Sequence, residues 1–174
     1  MRRFQVVSGF LATALVLWAN AAMPCGDKFL VVGRGVRAGR AQGVVRPASI
    51  LLYVNPKSEL PAALTESRLD THLRKAGHRV RSAETRQELA AALQEGTVDV
   101  VVTGLSDMTA LEPEVRAASS RPALLPVIYN PTGQELKAAE KKYTCVMKAP
   151  SRNQDYLDVI NEALAHRTEQ AKVK

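Results

Sequence analysis

The chain has 174 residues, 46% of them apolar and 24% charged, with a formal net charge of +7. This is enough for one domain with a real core, and it excludes a disordered chain. Arg2 and Arg3 stand in a leader; beyond it 22 basic side chains face 17 acidic ones, a net +5 that serves solubility and favours loose association with anionic surfaces.

Residues 1–22 have the three parts of a secretory signal. Arg2-Arg3 is the positive start, Val6 to Trp18 is apolar, and Ala19-Asn20-Ala21 matches an A-x-A cleavage site. The apolar stretch is too short for a permanent membrane span. Cys25 follows Ala22-Met23-Pro24, and proline just before the cysteine argues against lipid attachment. The expectation is cleavage near Ala22 or Met23, a periplasmic or secreted chain, and no integral membrane anchor. Cys25 and Cys145 are then the only cysteines. An oxidising compartment allows them one bridge; the alternative is two unpaired thiols, with Cys145 a small buried apolar residue.

Residues 23–47 read as a basic arm. No acid occurs between Asp27 and Glu59, while Lys28, Arg34, Arg37, Arg40, Arg46 and Lys57 are all basic. Such a segment can meet an acidic protein, phospholipid or polysaccharide surface, or lie solvated over the domain. No aromatic residue is interleaved with the arginines, so nucleic acid is not expected as a partner. Phe29-Leu30-Val31-Val32-Gly33-Arg34-Gly35 resembles the start of a dinucleotide-binding turn. The glycines that follow leave no room for a crossover helix before the next strand.

From Ala48 strands and helices alternate. Ser49–Val54 is an apolar strand ended by Asn55-Pro56. Leu64, Leu69, Leu73 and Ala76 mark one helix, closed by Gly77. Arg79–Ala83 alternates as an edge strand does. Thr85-Arg86-Gln87-Glu88 is a capping box opening a helix that Gly96 ends. Val98-Asp99-Val100-Val101-Val102 is β-branched and too short for a helix, so it reads as a central strand buried on both faces. Thr109-Ala110-Leu111-Glu112 is a second capping box, with Pro113 in the first turn. Ala123–Tyr129 is a strand, Gln134–Lys142 a short helix, Tyr143–Met147 the fifth strand. Leu157, Ile160 and Leu164 face a last helix inward, and residues 169–174 form a polar tail. The pattern predicts a doubly wound α/β fold: a five-stranded parallel sheet, order 2-1-3-4-5, with helices on both faces over residues 48–168.

This order and these lengths resemble the receiver domain of bacterial response regulators, a flavodoxin-like fold. The likeness rests on element order, the Val98–Val102 strand and the Lys148 end of the fifth strand. The resemblance implies two acids for magnesium after the first strand, where Val54-Asn55 stand. It implies a phosphate-accepting aspartate ending the third strand, where Gly104 stands, or Thr103 if the register slips. A Ser or Thr should follow the fourth strand, where Asn130-Pro131 stand. The fifth should end Lys-Pro, where Lys148-Ala149-Pro150 has one residue extra, and Cys145 takes the place of the family's switch aromatic. Magnesium needs oxygen ligands, usually one or two carboxylates, and phosphoryl transfer to a carboxylate needs a carboxylate. The resemblance therefore implies a pseudo-receiver without aspartyl phosphorylation.

His72, His78 and His166 read as surface histidines rather than a metal or catalytic set, and no zinc, nucleophile-elbow or P-loop motif occurs. No catalytic residue, metal or cofactor is expected. The expectation is an exported, non-enzymatic module that binds an envelope protein or an acidic surface. The alternative is a small-anion or small-molecule binder. Its crevice would hold Asn55, Thr103, Gly104, Ser106, Asp107 and Asn130, with Lys148 as the anchor. An enzyme on a related fold is a third class, and fold alone does not separate the three.

Overall fold

The computed structural model describes residues 47–172. Five strands form one parallel sheet in the order β2-β1-β3-β4-β5: β1 Ser49–Tyr53, β2 Arg79–Ala83, β3 Val100–Gly104, β4 Ala123–Tyr129 and β5 Met147–Ala149. The strand order and the doubly wound architecture are those expected from the alternation. β1 and β3 are buried along their whole length, as unbroken apolar runs in the middle of a parallel sheet must be.

The helices are α1 Leu60–Ser67, α2 Leu69–Lys75, α3 Arg86–Gln94, α4 Met108–Ala117, α5 Gly133–Lys142 and α6 Asn153–Lys172. One core layer joins Ile50, Leu52, Val100, Val102, Leu125 and Val127 to α1, α2 and α6. The other face, through Leu51, Tyr53 and Val101, packs on α3 and α4. Alternate residues of each strand feed opposite layers, which fixes the register.

The helix expected between Leu64 and Ala76 is two helices. Arg68 takes a left-handed conformation, φ +47°, and breaks it. Gly77 (φ +90°) and Gly96 (φ +69°) end their helices as predicted, in a conformation that costs other residues a Cβ clash. Thr85 caps α3 through the Glu88 amide at 3.2 Å. The box expected at Thr109–Glu112 does not form. The chain leaves β3 directly into a 3-10 turn, Leu105–Asp107, so α4 starts at Met108 and Pro113 lies inside it. The full capping box is elsewhere: Thr132 accepts from the Glu135 amide, and the Glu135 carboxylate accepts from the Thr132 amide at 2.8 Å. α6 continues helical to Lys172, into the segment read as a polar tail.

Pro126 sits inside β4, where a missing N–H would ordinarily break a ladder. β4 pairs with β3 from Ala123, but with β5 only from Val127. The Ala123 amide donates to β3's side, at Asp99 O, so the alternate position 126 faces β5 before β5 has begun.

At the opposite end of the sheet, Asp99 is a hub. Its Oδ2 accepts from the Ser49 amide at 2.8 Å, and its Oδ1 from Arg167 Nη1 at 2.7 Å. Arg167 also donates to Ser120 O (2.8 Å) and Arg121 O (3.1 Å), locking α6 to the loop before β4. Close by, His78 is buried, not at the surface as the sequence suggested. Its Nδ1 accepts from the Ala48 amide at 3.2 Å, and burial holds its pKa below the ordinary histidine value.

Candidate functional site

In a doubly wound sheet a ligand is expected beyond the carboxyl ends of the strands. There the chain leaves β1 through Val54-Asn55-Pro56, and Asn55 organises the turn. Its Oδ1 accepts from the Lys57 amide (3.1 Å), and its carbonyl accepts from the Ser58 amide (3.0 Å) and hydroxyl (2.9 Å). Its Nδ2 donates to Asp107 Oδ1 at 2.7 Å. One residue therefore shapes the β1–α1 loop and staples it to the turn after β3.

That loop lies over the end of β3. A Cβ on Gly104 would stand 2.8 Å from both Glu59 Oε2 and Ser58 Cβ, and 3.0 Å from Ser58 Oγ. Ser106 donates its hydroxyl to Glu59 Oε2 at 3.2 Å and closes the contact. Ser58 and Glu59 are the site residues that the sequence reading missed. Nothing in the spacing of Ser58-Glu59 signals that the loop folds back over a residue 45 positions away; the small residue at 104 was the available clue.

Two crevice residues need correction. Thr103 is completely buried, on the face toward Tyr53, so it presents nothing to a ligand; its Oγ1 has no hydrogen-bond partner. Gly104 is buried too, roofed by Ser58 and Glu59. Asp107 stands at the start of α4 but makes no side-chain cap. Its Oδ1 takes the Asn55 amide, while Oδ2 is buried and unpartnered. The Tyr53 phenol nearby is pushed up, first by burial and then by the charge of Asp107.

Lys148 does not join this group. Its side chain is exposed, and among the described residues no hydrogen bond or ion pair reaches that side chain. It pairs in register with Ile128, and β4 lies between it and Gly104. The last strand residue before Pro150 is Ala149, fully buried in the layer under α1, α2 and α6. The extra residue before the proline thus turns Lys148 to the other face of the sheet. Asn130 is exposed at the rim, with φ +47°, and its amide donates to Ala149 O at 2.7 Å.

The strand ends thus bring together Asn55, Ser58, Glu59, Ser106 and Asp107: two carboxylates, an amide and two hydroxyls, with no cationic side chain bonded to them among the described residues. Such a set disfavours an anion. Among the described residues no group of three or more His, Cys, Asp and Glu is placed to hold a metal ion. No helix of the described residues is long and apolar enough to cross a membrane. Arg34, Arg37, Arg40, Arg46 and Cys25 lie outside the described residues. Cys145 is buried and disulfide-bonded.

No protein-family model matches the sequence, and no curated protein does. Among solved structures, the crystal structure of a response regulator from Thermotoga maritima superposes with a TM-score of 0.51 at 14% identity, over 69% of this chain and 99% of that one. The response regulator receiver domain protein (CheY-like) from Methanospirillum hungatei JF-1 reaches 0.46 at 14% identity, over 70% and 98%. At such identity the likeness concerns the fold. Residues 47–172 have the fold of a response-regulator receiver domain, with strand order 2-1-3-4-5.

Proposed function

We propose that the chain is an exported, non-catalytic receiver-like domain that works by binding another protein, without aspartyl phosphorylation. The observation that carries this reading is the end of β3. Residue 104 has no side chain, and the space a side chain would need is held by Ser58 and Glu59. A carboxylate there would meet a neighbouring carboxylate before it met a phosphodonor. The end of β1 supplies Val54 and Asn55, which give magnesium at most one neutral oxygen, and that oxygen already accepts from Lys57. Export is supported by the Arg2-Arg3, apolar, Ala-x-Ala leader.

Incubation with acetyl phosphate and magnesium, followed by intact mass measurement, tests the chemistry: the expected result is no phosphate gain. A gain abolished by Asp107→Asn would mean that Asp107 is an acceptor and that the reading is wrong. For the binding role, the tagged full chain should recover a saturable envelope partner, and a bait that recovers none contradicts it. Sequencing the N-terminus of envelope material should find a start near Ala22 or Met23, whereas an intact Met1 removes the export claim.

A further inference from the structure

A cluster of basic side chains lies at the end of the sheet opposite the crevice. There α4, the start of β4, the end of α5 and the end of α6 enclose a cleft of about 270 Å³. Its walls carry Arg116, Arg121, Lys142, His166 and Arg167 against one acid, Glu112. Two of these cations are already engaged: Arg116 pairs with Glu112 at 2.6 Å, and Arg167 with Asp99 at 2.7 Å. Arg121, Lys142 and the His166 imidazole are not engaged to that degree. The Arg121 side chain has no hydrogen bond or ion pair among the described residues, since only its main chain takes part in the Arg167 clamp. Lys142 stands over the Tyr143 ring at 5.1 Å. His166 reaches Glu169 only at 3.9 Å.

Arg121 is also held at φ +44°. Glycine or asparagine would occupy that conformation at lower cost, so an arginine there is strained backbone with a long cation mounted on it. The cleft floor is apolar, through Val115, Leu124 and Ala163. Cationic rim, apolar floor and side-chain-sized volume together fit acidic side chains with some carbon surface behind them.

We propose that this cleft is the docking site for an acidic segment of the partner protein, with Arg121 and Lys142 as the recognising cations. The assignment rests on the protein-binding reading above and places the binding surface at the pole opposite the strand ends.

The probe is a fluorescein-labelled octaglutamate peptide, read by anisotropy with the full chain at about 50 mM salt, where charge contacts are weakly screened. Arg121→Glu with Lys142→Glu should weaken binding roughly tenfold or more, and Arg74→Glu with Lys75→Glu on α2 should change it by less than about twofold. All four side chains are exposed, so neither pair of changes threatens the fold. Equal losses in both double variants, or none in the first, overturn the cleft assignment. Capture from envelope extract separates the two claims. A partner retained by the Arg121→Glu, Lys142→Glu bait overturns the cleft and leaves the binding role standing. A partner lost with that bait supports both. If the wild-type bait captures nothing, the binding role itself fails.

Discussion

Gly104→Ala adds one methyl group at the position that decides the functional reading. The new Cβ would lie 2.8 Å from Ser58 Cβ and from Glu59 Oε2. The two contacts differ in kind. Glu59 Oε2 is the far end of a flexible side chain and can swing away, losing the 3.2 Å bond from Ser106, which is exposed and worth little. Ser58 Cβ is fixed to a backbone that Asn55 holds through two hydrogen bonds, so the loop itself must move. Overpacking of this sort costs about 1–3 kcal/mol. The lower entropy of alanine in the unfolded chain returns about 0.4–1 kcal/mol, since Gly104 has an ordinary φ of −65°. The net loss is about 0–2.6 kcal/mol, or roughly 0–1.3 M in urea midpoint for an m value of about 2 kcal/mol per M. Removing the other Cβ tests the cause. Ser58→Gly destabilises alone, since it loses the hydroxyl bond to Asn55, but Gly104→Ala should then cost almost nothing in its background. A coupling of at least about 0.5 kcal/mol is expected from a double-mutant cycle by urea denaturation at pH 7. Full additivity would refute the claim that the loop occupies the end of β3.

Other expectations follow from the same geometry. Arg167→Ala should cost about 2–3 kcal/mol by urea denaturation, because it strips Asp99 and two carbonyls of one donor group; Arg167→Lys should recover less than half, since one ammonium does not span three acceptors. Thr103→Val should raise stability by about 1 kcal/mol in the same assay, by removing a buried hydroxyl that has no partner; an unchanged or lowered midpoint would mean that the hydroxyl is satisfied. His78 has a lowered pKa in the folded state, so the unfolded chain takes up its proton first. Stability is then whole above the unfolded value of about 6.5 and is lost as pH falls toward the depressed folded value, at up to about 1.4 kcal/mol per pH unit. Comparing urea midpoints at pH 7.5 and 5.5 should show that dependence, and His78→Gln should flatten it.

What was legible in the chain was what repeats along it. Runs such as Ile50-Leu51-Leu52 and Val100-Val101-Val102 announce doubly buried strands, and Gly77 and Gly96 announce helix ends, because each depends on a few adjacent residues. The absence of a carboxylate at 104 was readable for the same reason. The strand ends were not, because they are set by contacts between distant segments. Ser58 and Glu59 meet Gly104 only after β1 and β3 pair, and nothing local marks them. Lys148 was misjudged through a single position: period-two alternation turns a one-residue offset into the opposite face of the sheet. Burial of His78 likewise depends on Ala48, thirty positions earlier, arriving beside it.

The two outer strands also limit how this protein can be met by others. β2 points Arg79 and Arg81 into solvent along its length, and β5 offers three residues, one of them Lys148, before a proline ends it. Short, cationic, proline-stopped borders are how sheets resist extension by a foreign strand. Recognition through main-chain pairing, in which a visiting peptide lengthens the sheet, is therefore discouraged at both borders, and so is self-association into ribbons. A visitor is left with side chains to read, on helix faces and in the hollows between them.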